Sequence, residues 1–261
     1  MLALTPLQYV FGALSGSAVG LSLGLFGGGG SILAVPLLVY LVGLTDPHIA
    51  IGTSAVAVAA NAATNLIVHA RRRNVVWRCA LIYSAAGVVG AAGGSIAGKA
   101  LDGQHLLLLF ALLMFAVAAM MFMTRHRAEN HAVACTIENA PRTLAYGAGT
   151  GAVAGFFGIG GGFLIVPGLV AATGMPLLSA VGSSLVAVTA FGLTTAVSYG
   201  ASGLVDWPLA LVFVAGGALG GTFGALAAGQ IAQRRGALNT AFTGLIVVVA
   251  AYMALRAVAA V

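Results

Sequence analysis

The chain has 261 residues, with 11 Lys and Arg against 5 Asp and Glu and a formal net charge of +6. Hydrophobic residues make up 61% and charged residues only 6%, where soluble domains carry about a quarter charged, so a water-soluble globule is excluded. The length instead accommodates roughly ten spans at about 20 apolar residues each, and the 38 glycines suit helices whose backbones approach closely.

The first segment is expected at about 6 to 26. Residues 1 to 70 hold no Lys or Arg, and the apolar stretch runs on to Leu44, so the amino terminus reads as a retained segment and not a cleavable signal. Further uncharged runs separated by turn signals predict segments at about 31 to 44, 48 to 70, 75 to 98 and 104 to 124. A polar stretch, 125 to 142, follows and reads as a solvent-facing linker. A second series is predicted at about 143 to 157, 163 to 174, 176 to 199, 207 to 229 and 237 to 256.

The two series are copies. Phe26 to Pro36 (FGGGGSILAVP) matches Phe157 to Pro167 (FGIGGGFLIVP) at an offset of 131, and GTSAVAV from Gly52 matches GSSLVAV from Gly182 at 130. Val75, Trp77, Gly87, Gly90 and Gly94 likewise fall on Val205, Trp207, Gly217, Gly220 and Gly224. A register held across two Trp and three Gly positions is not produced by apolar composition. The expected organisation is therefore a first transmembrane repeat over 1–124, a linker over 125–142 and a second repeat over 143–261.

The basic residues cluster at segment ends: Arg71, Arg72, Arg73 and Arg78, then Arg125, Arg127 and Arg142, then Arg234 and Arg235. Nucleic-acid binding would need a continuous basic stripe, which is missing. The clusters are orientation signals instead. The loop after the third segment carries four Arg in the first repeat but only Asp206 in the second, and the loop after the fourth reverses this. Equivalent loops then lie on opposite sides, which predicts an inverted-topology repeat with a cytoplasmic linker and both termini outside.

Arg142 to Gly174 is too short for two crossings, since about 48 Å of helix must cover about 60 Å. The first pair of the second repeat is accordingly a deep hairpin with its glycine turn inside the membrane. In the first repeat, residues 6 to 44 leave two compressed crossings open.

Backbone without helical hydrogen bonds survives at membrane depth only where protein buries it or where it lines a cavity. This makes the turn Gly27, Gly28, Gly29, Gly30 and Ser31, with its twin Gly158, Gly160, Gly161 and Gly162, the candidate binding site. The following helices present amide N–H groups and a positive dipole end to an anion; the alternative is glycine serving tight packing alone. Thr53, Ser54, Ser183 and Ser184 add hydroxyls that either donate to an oxyanion or bond back to their own helix. Asn61, Thr64 and Asn65, with Thr189, Thr194 and Thr195, read as interhelical hydrogen-bonding groups. Trp77 and Trp207 read as interface anchors, and His48 and His69 as interfacial side chains. Cys79 and Cys135 lie 56 positions apart without a CxxC pair, and read as apolar fillers and neither a disulfide framework nor a metal site. No catalytic constellation, metal site or cofactor motif assembles, so an enzyme is not expected.

Two copies of a Gly-rich turn followed by an aliphatic run and Pro, each leading to a G-[TS]-S segment, resemble the TauE/SafE family of sulfite exporter-like permeases over about 5 to 256. The resemblance implies outward transport of small sulfur-containing anions such as sulfite or organosulfonates, and carries over to the glycines of both turns and to Gly52, Thr53, Ser54, Gly182, Ser183 and Ser184. The expectation is an all-α, polytopic protein of the inner (plasma) membrane with about 8 to 10 helical segments, two inverted repeats and Gly-broken helices. It would move a small anion by alternating access at a midplane site, with lipid and substrate as partners and homo-oligomerisation left open. Import of an oxyanion, or a non-transporting receptor or assembly factor on the same scaffold, are the alternatives.

Overall fold

A computed structural model describes residues 4–124, 139–158, 160–231, 244 and 247–252. Every regular element among them is helical. Helix α1 is Pro6–Phe26, and the segment after it, α2, is composite: a 3-10 stretch at Gly27–Leu33, one α turn at Ala34–Pro36 and a π turn at Leu37–Leu41. The chain continues through α3 (Pro47–Arg71), α4 (Trp77–Ala100), α5 (Gly103–Thr124), α6 (Ala140–Phe157), α7 (Gly162–Thr173), α8 (Leu177–Ala201) and α9 (Trp207–Ile231).

Local chemistry sets the starts of these helices. Thr5 and Gln8 form a capping box around Pro6, and the Asp46 carboxylate accepts from the His48 amide at 2.8 Å ahead of Pro47 at the head of α3. Helix α6 begins at Ala140, ahead of the expected 143, because Pro141 occupies its first turn, where a missing N–H costs nothing. The rest of the expected linker, 125 to 138, and the expected segment at 237 to 256, apart from 244 and 247–252, lie outside the described residues.

Five helices, α1, α3, α4, α8 and α9, are long and apolar enough to cross a membrane. Helix α7, with 12 residues, is not, being about 18 Å long against a hydrocarbon core of about 30 Å. In the first repeat α1, with 21 residues, is long enough to cross, and the chain then turns back through the broken α2.

Glycine contacts give the direction of each helix. Gly16, Gly20 and Gly24 of α1 lie on the backbone of Phe213, Gly217 and Gly221 of α9, advancing together, so the two helices run parallel. The equivalent set, Gly147, Gly151 and Gly155 of α6, lies in the same way on Tyr83, Gly87 and Ala91 of α4. Lipid provides no hydrophobic force between helices, so such backbone-to-backbone contact is what holds each pair. Asn61 and Asn65 against Gly217 and Gly221 make α3 parallel to α9, and Phe191 against Gly87 couples α8 to α4. By contrast Gly52 backs onto the Leu204 carbonyl and Gly182 onto that of Asn74, which sets α3 antiparallel to its own equivalent, α8. The repeats are inverted.

This arrangement sorts the charges. Arg71, Arg72, Arg73, Arg78 and Arg142 fall at one end of the bundle, where the Arg72 guanidinium donates to the Ala225 carbonyl at 3.1 Å. Asp46, Asp102, Asp206 and Lys99 fall at the other, joined by His48 Nε2 to the Leu101 carbonyl at 3.1 Å and Lys99 to the Ser198 carbonyl at 3.0 Å. Trp77 and Trp207, exposed at 49% and 55%, mark opposite ends.

Two expectations are corrected. Cys79 is buried and disulfide-bonded; pairing depends on proximity in space, which sequence spacing does not carry, and Cys135 lies outside the described residues. His69 is not interfacial but buried, its Nε2 3.2 Å from the Gly24 carbonyl where α1 passes the end of α3.

Candidate functional site at the paired glycine turns

The second turn reaches the crossing of α3 and α8. Gly160 sits between Val58 and Val188, and a Cβ there would stand 3.2 Å from a Cγ1 of each. Each valine is the twelfth residue of a helix of 25, so Gly160 lies about 17 Å from either helix start and therefore near mid-depth. The contact is related by the same internal symmetry as the sequence, 58 and 188 being 130 apart.

On either side of this point the turns reach past each other. Gly27, at φ +62°, would bring a Cβ within 2.7 Å of the Val181 carbonyl and 2.8 Å of Ser184 Oγ. Gly158, at φ +66°, faces the Ile51 side chain in the equivalent place. These positive φ values and backbone approaches admit glycine alone. Gly160 and Gly161 also have positive φ, 64° and 61°, and turn the chain directly into α7. Gly30 lies against the backbone of Ser22 and Leu23.

Gly161 caps α7 without a side chain, and the Leu164 and Ile165 amides already return to its carbonyl, at 2.9 and 3.1 Å. The Gly162 and Phe163 amides, in the first turn, have no acceptor inside the helix and point back toward Gly160. The nearest neighbours of Gly160 and Gly161 are the Val58, Val188 and Ala154 side chains and the Val188 and Thr150 carbonyls. Phe110 of α5 closes the flank, its ring 5.5 Å from that of Phe157 and 6.5 Å from that of Phe163. Ser31, Ser54, Ser184 and the described glycines of both turns are buried, apart from Gly28 and Gly29, whose exposure lies outside the described features. The first turn differs from the second: it winds as a 3-10 helix and has a single positive-φ glycine, Gly27.

The hydroxyl pairs divide into two functions. Thr53 Oγ1 accepts from the Asp206 amide at 3.0 Å, and Ser183 Oγ accepts from the Val76 amide at 2.9 Å. Each therefore fastens the loop that opens a helix of the opposite repeat, α9 and α4 respectively. Ser54 and Ser184 lie nearer the turns and bond back to Ile51 and Val181 carbonyls at 2.8 Å, with Ser54 Oγ 3.5 Å from the Gly158 carbonyl. The cross-repeat role of Thr53 and Ser183 was not visible in sequence, because partner and hydroxyl are 153 and 107 positions apart. Thr53→Val keeps the shape but strands the Asp206 amide, at a cost of about 1–3 kcal/mol. A lowered melting temperature is expected, restored by Thr53→Ser; an unchanged one contradicts the strap.

The other predicted polar groups do not bridge helices. Thr64 Oγ1 and Asn65 Nδ2 bond the Asn61 carbonyl at 2.8 and 2.9 Å, and Thr189 and Thr194 bond carbonyls of their own helix at 2.7 and 2.8 Å. Glycine on the facing helix offers no side chain to meet them. Among the described residues, no group of three His, Cys, Asp or Glu is placed to hold a metal ion.

Comparison with known proteins agrees with this architecture. Residues 12–253 match the family described as "Sulfite exporter TauE/SafE". A "Probable membrane transporter protein" of Xylella fastidiosa (strain 9a5c) is 51% identical over 245 residues, covering 93% of this chain and 93% of the relative. "Probable membrane transporter protein YunE" of Bacillus subtilis (strain 168) is 30% identical over 237 residues, covering 83% and 85%. A third relative, "Probable membrane transporter protein MJ0441" of Methanocaldococcus jannaschii, is 28% identical over 203 residues, covering 76% and 73%. No solved structure matches. With a family match over nearly its whole length and an all-helical inverted-repeat bundle, the chain belongs to the TauE/SafE family of membrane transporters.

Proposed function

We propose that the protein exports small sulfur-containing anions, sulfite or organosulfonates, across the plasma membrane by alternating access around the paired glycine turns. The observation that carries the reading is the placement of Gly160, at the head of α7, near mid-depth between Val58 of α3 and Val188 of the antiparallel α8. Backbone donors at a helix N-terminus favour an anion. The low-dielectric walls of Val58, Val188 and Ala154 strengthen each such bond. Burial of Gly27, Gly30, Ser31, Gly158, Gly160 and Gly161 fits a closed state between inward and outward openings. Inverted repeats supply those openings, since exchanging the conformations of two equivalent halves converts one opening into the other.

By the positive-inside rule, the end carrying Arg71, Arg72, Arg73, Arg78 and Arg142 faces the cytoplasm, with the linker on that side and both termini outside. The site is formed by Gly27, Gly28, Gly29, Gly30 and Ser31 with Gly158, Gly160, Gly161 and Gly162, and by Ser54 and Ser184. Thr53 and Ser183 act by holding the loops.

Thermal unfolding of the purified protein tests the substrate class. A ligand at about 100 times its Kd stabilises by about 2.7 kcal/mol, so sulfite or a short organosulfonate should raise the melting temperature by several degrees, and acetate by less. No shift with any sulfur oxyanion, or a shift with acetate alone, contradicts the assignment.

A further inference from the structure

Helix α3 carries a polar stripe that the glycine-turn site does not use. Asn61, Asn65 and His69 recur every four residues and so share one face. All three are buried at 0 to 1% exposure. Both polar atoms of the Asn61 amide, Oδ1 of Asn65 and Nδ1 of His69 have no partner. Burying such groups unpaired costs several kcal/mol in an apolar medium, and buried polar atoms in folded proteins are nearly always paired.

Packing does not require an amide at 61, although the positions equivalent to Asn65 and His69 on α8, Thr195 and Tyr199, are likewise buried with hydroxyls that have no partner. The position equivalent to Asn61 on α8 is Phe191, which seats on Gly87 and lies alongside Tyr83 with ring centroids 6.5 Å apart. The α8–α4 seam is thus closed by an aromatic, and the matching α3–α9 seam by amides resting on Gly217 and Gly221. Asn61 stands less than one turn beyond Val58, which touches the glycine turn, and His69 lies about 12 Å further along. Arg71, Arg72 and Arg73 follow immediately, all exposed. The described acids, Asp46, Asp102 and Asp206, are all at the opposite end. The stripe therefore joins the mid-depth turn to a cationic mouth by neutral hydrogen-bonding groups, a lining suited to an anion that must leave water without meeting a fixed negative charge.

We propose that the α3–α9 seam is the closed passage between the glycine-turn site and the arginine end, and that Asn61 and Asn65 solvate a small anion in turn when α9 moves away from α3, with His69 beside them at the α1 edge of the passage. Glycine backbone against amide tips leaves few interlocking side chains to hold the seam, so parting as a rigid body requires release of the Arg72–Ala225 hydrogen bond at its end. The identity of the cargo rests on the transport reading above, whereas the existence of a polar passage does not.

The test places cysteine at 61, 65 and 191, with Ala62→Cys as a control turned about 100° away on α3. The native cysteines are kept, and each site is read by peptide mass spectrometry. Vesicles of each orientation are treated with anionic methanethiosulfonate ethylsulfonate or its cationic trimethylammonium analogue. Asn61→Cys and Asn65→Cys should react from the arginine side at least tenfold faster than Ala62→Cys, and faster with the anionic reagent. Phe191→Cys should stay protected from that side. Protection of positions 61 and 65 from both sides, reaction from the opposite side only, or a preference for the cation would each overturn the passage.

A second variant covers failure of the cysteine forms to fold. Asn61→Leu removes an unpaired buried amide and should leave the melting temperature at or above wild type while lowering sulfite flux at least tenfold. Unchanged flux in that variant overturns the proposal. A wild-type protein that moves no sulfur oxyanion, yet reacts at 61 and 65 as described, would refute the substrate and leave the passage standing.

Discussion

Gly161→Val is expected to abolish sulfite binding, with affinity falling at least a hundredfold while the protein still inserts. Gly161 sits at φ +61° and a Cβ there meets Ala154, so valine combines a disfavoured backbone region with a collision. It also displaces the first amides of α7. Because the substitution is severe, Gly160→Ala is the finer probe. Its Cβ would stand 3.2 Å from Val58 Cγ1 and 3.2 Å from Val188 Cγ1, filling the mid-depth space at a cost of roughly 1–2 kcal/mol for the left-handed backbone. Gly93→Ala is the control: nothing lies within 4 Å of a Cβ there, and helix propensity alone should stabilise it by about 0.5–1 kcal/mol. Binding is read by calorimetry and folding by size-exclusion profile. A monodisperse Gly160→Ala or Gly161→Val protein with wild-type affinity would return these glycines to packing.

The inversion of the repeats was legible because two independent signals agree. The sequence offset of about 130 defines equivalent loops, and the arginines distinguish them. The same offset reappears in three dimensions, in pairs such as Gly20–Gly217 and Gly151–Gly87. The shortness of α7 was also legible, since a chain length bounds a distance. In the first repeat the length was compatible with two outcomes, and the glycine run winds as a 3-10 turn, a geometry short apolar runs do not announce.

What sequence did not show are relations between distant residues. The Thr53 hydroxyl reads as a donor to substrate until the Asp206 amide is found on it. Asn61 and Asn65 read as interhelical partners until the facing residues prove to be glycines. Their lack of partners is a property of the α3–α9 seam, not of α3. Cys79 belongs to the same class.

Net movement of the anion should follow the membrane potential alone. A proton relay or a cation site inside a membrane is usually marked by an acid or a histidine; the described acids, Asp46, Asp102 and Asp206, all stand at helix ends or in loops, and the buried His69 stands near the end of α3 with Nε2 at the Gly24 carbonyl. An interior-negative potential favours exit of a monovalent anion by about 2.3 kcal/mol per 100 mV, roughly a fifty-fold gradient, so export needs no partner ion. In vesicles containing only the purified protein, a K⁺ diffusion potential of about 100 mV, set without any Na⁺ or pH gradient, should drive sulfite toward the positive side until that gradient is approached. Sulfite flux that is absent, or that ignores voltage and follows an imposed Na⁺ or pH gradient, would contradict the account.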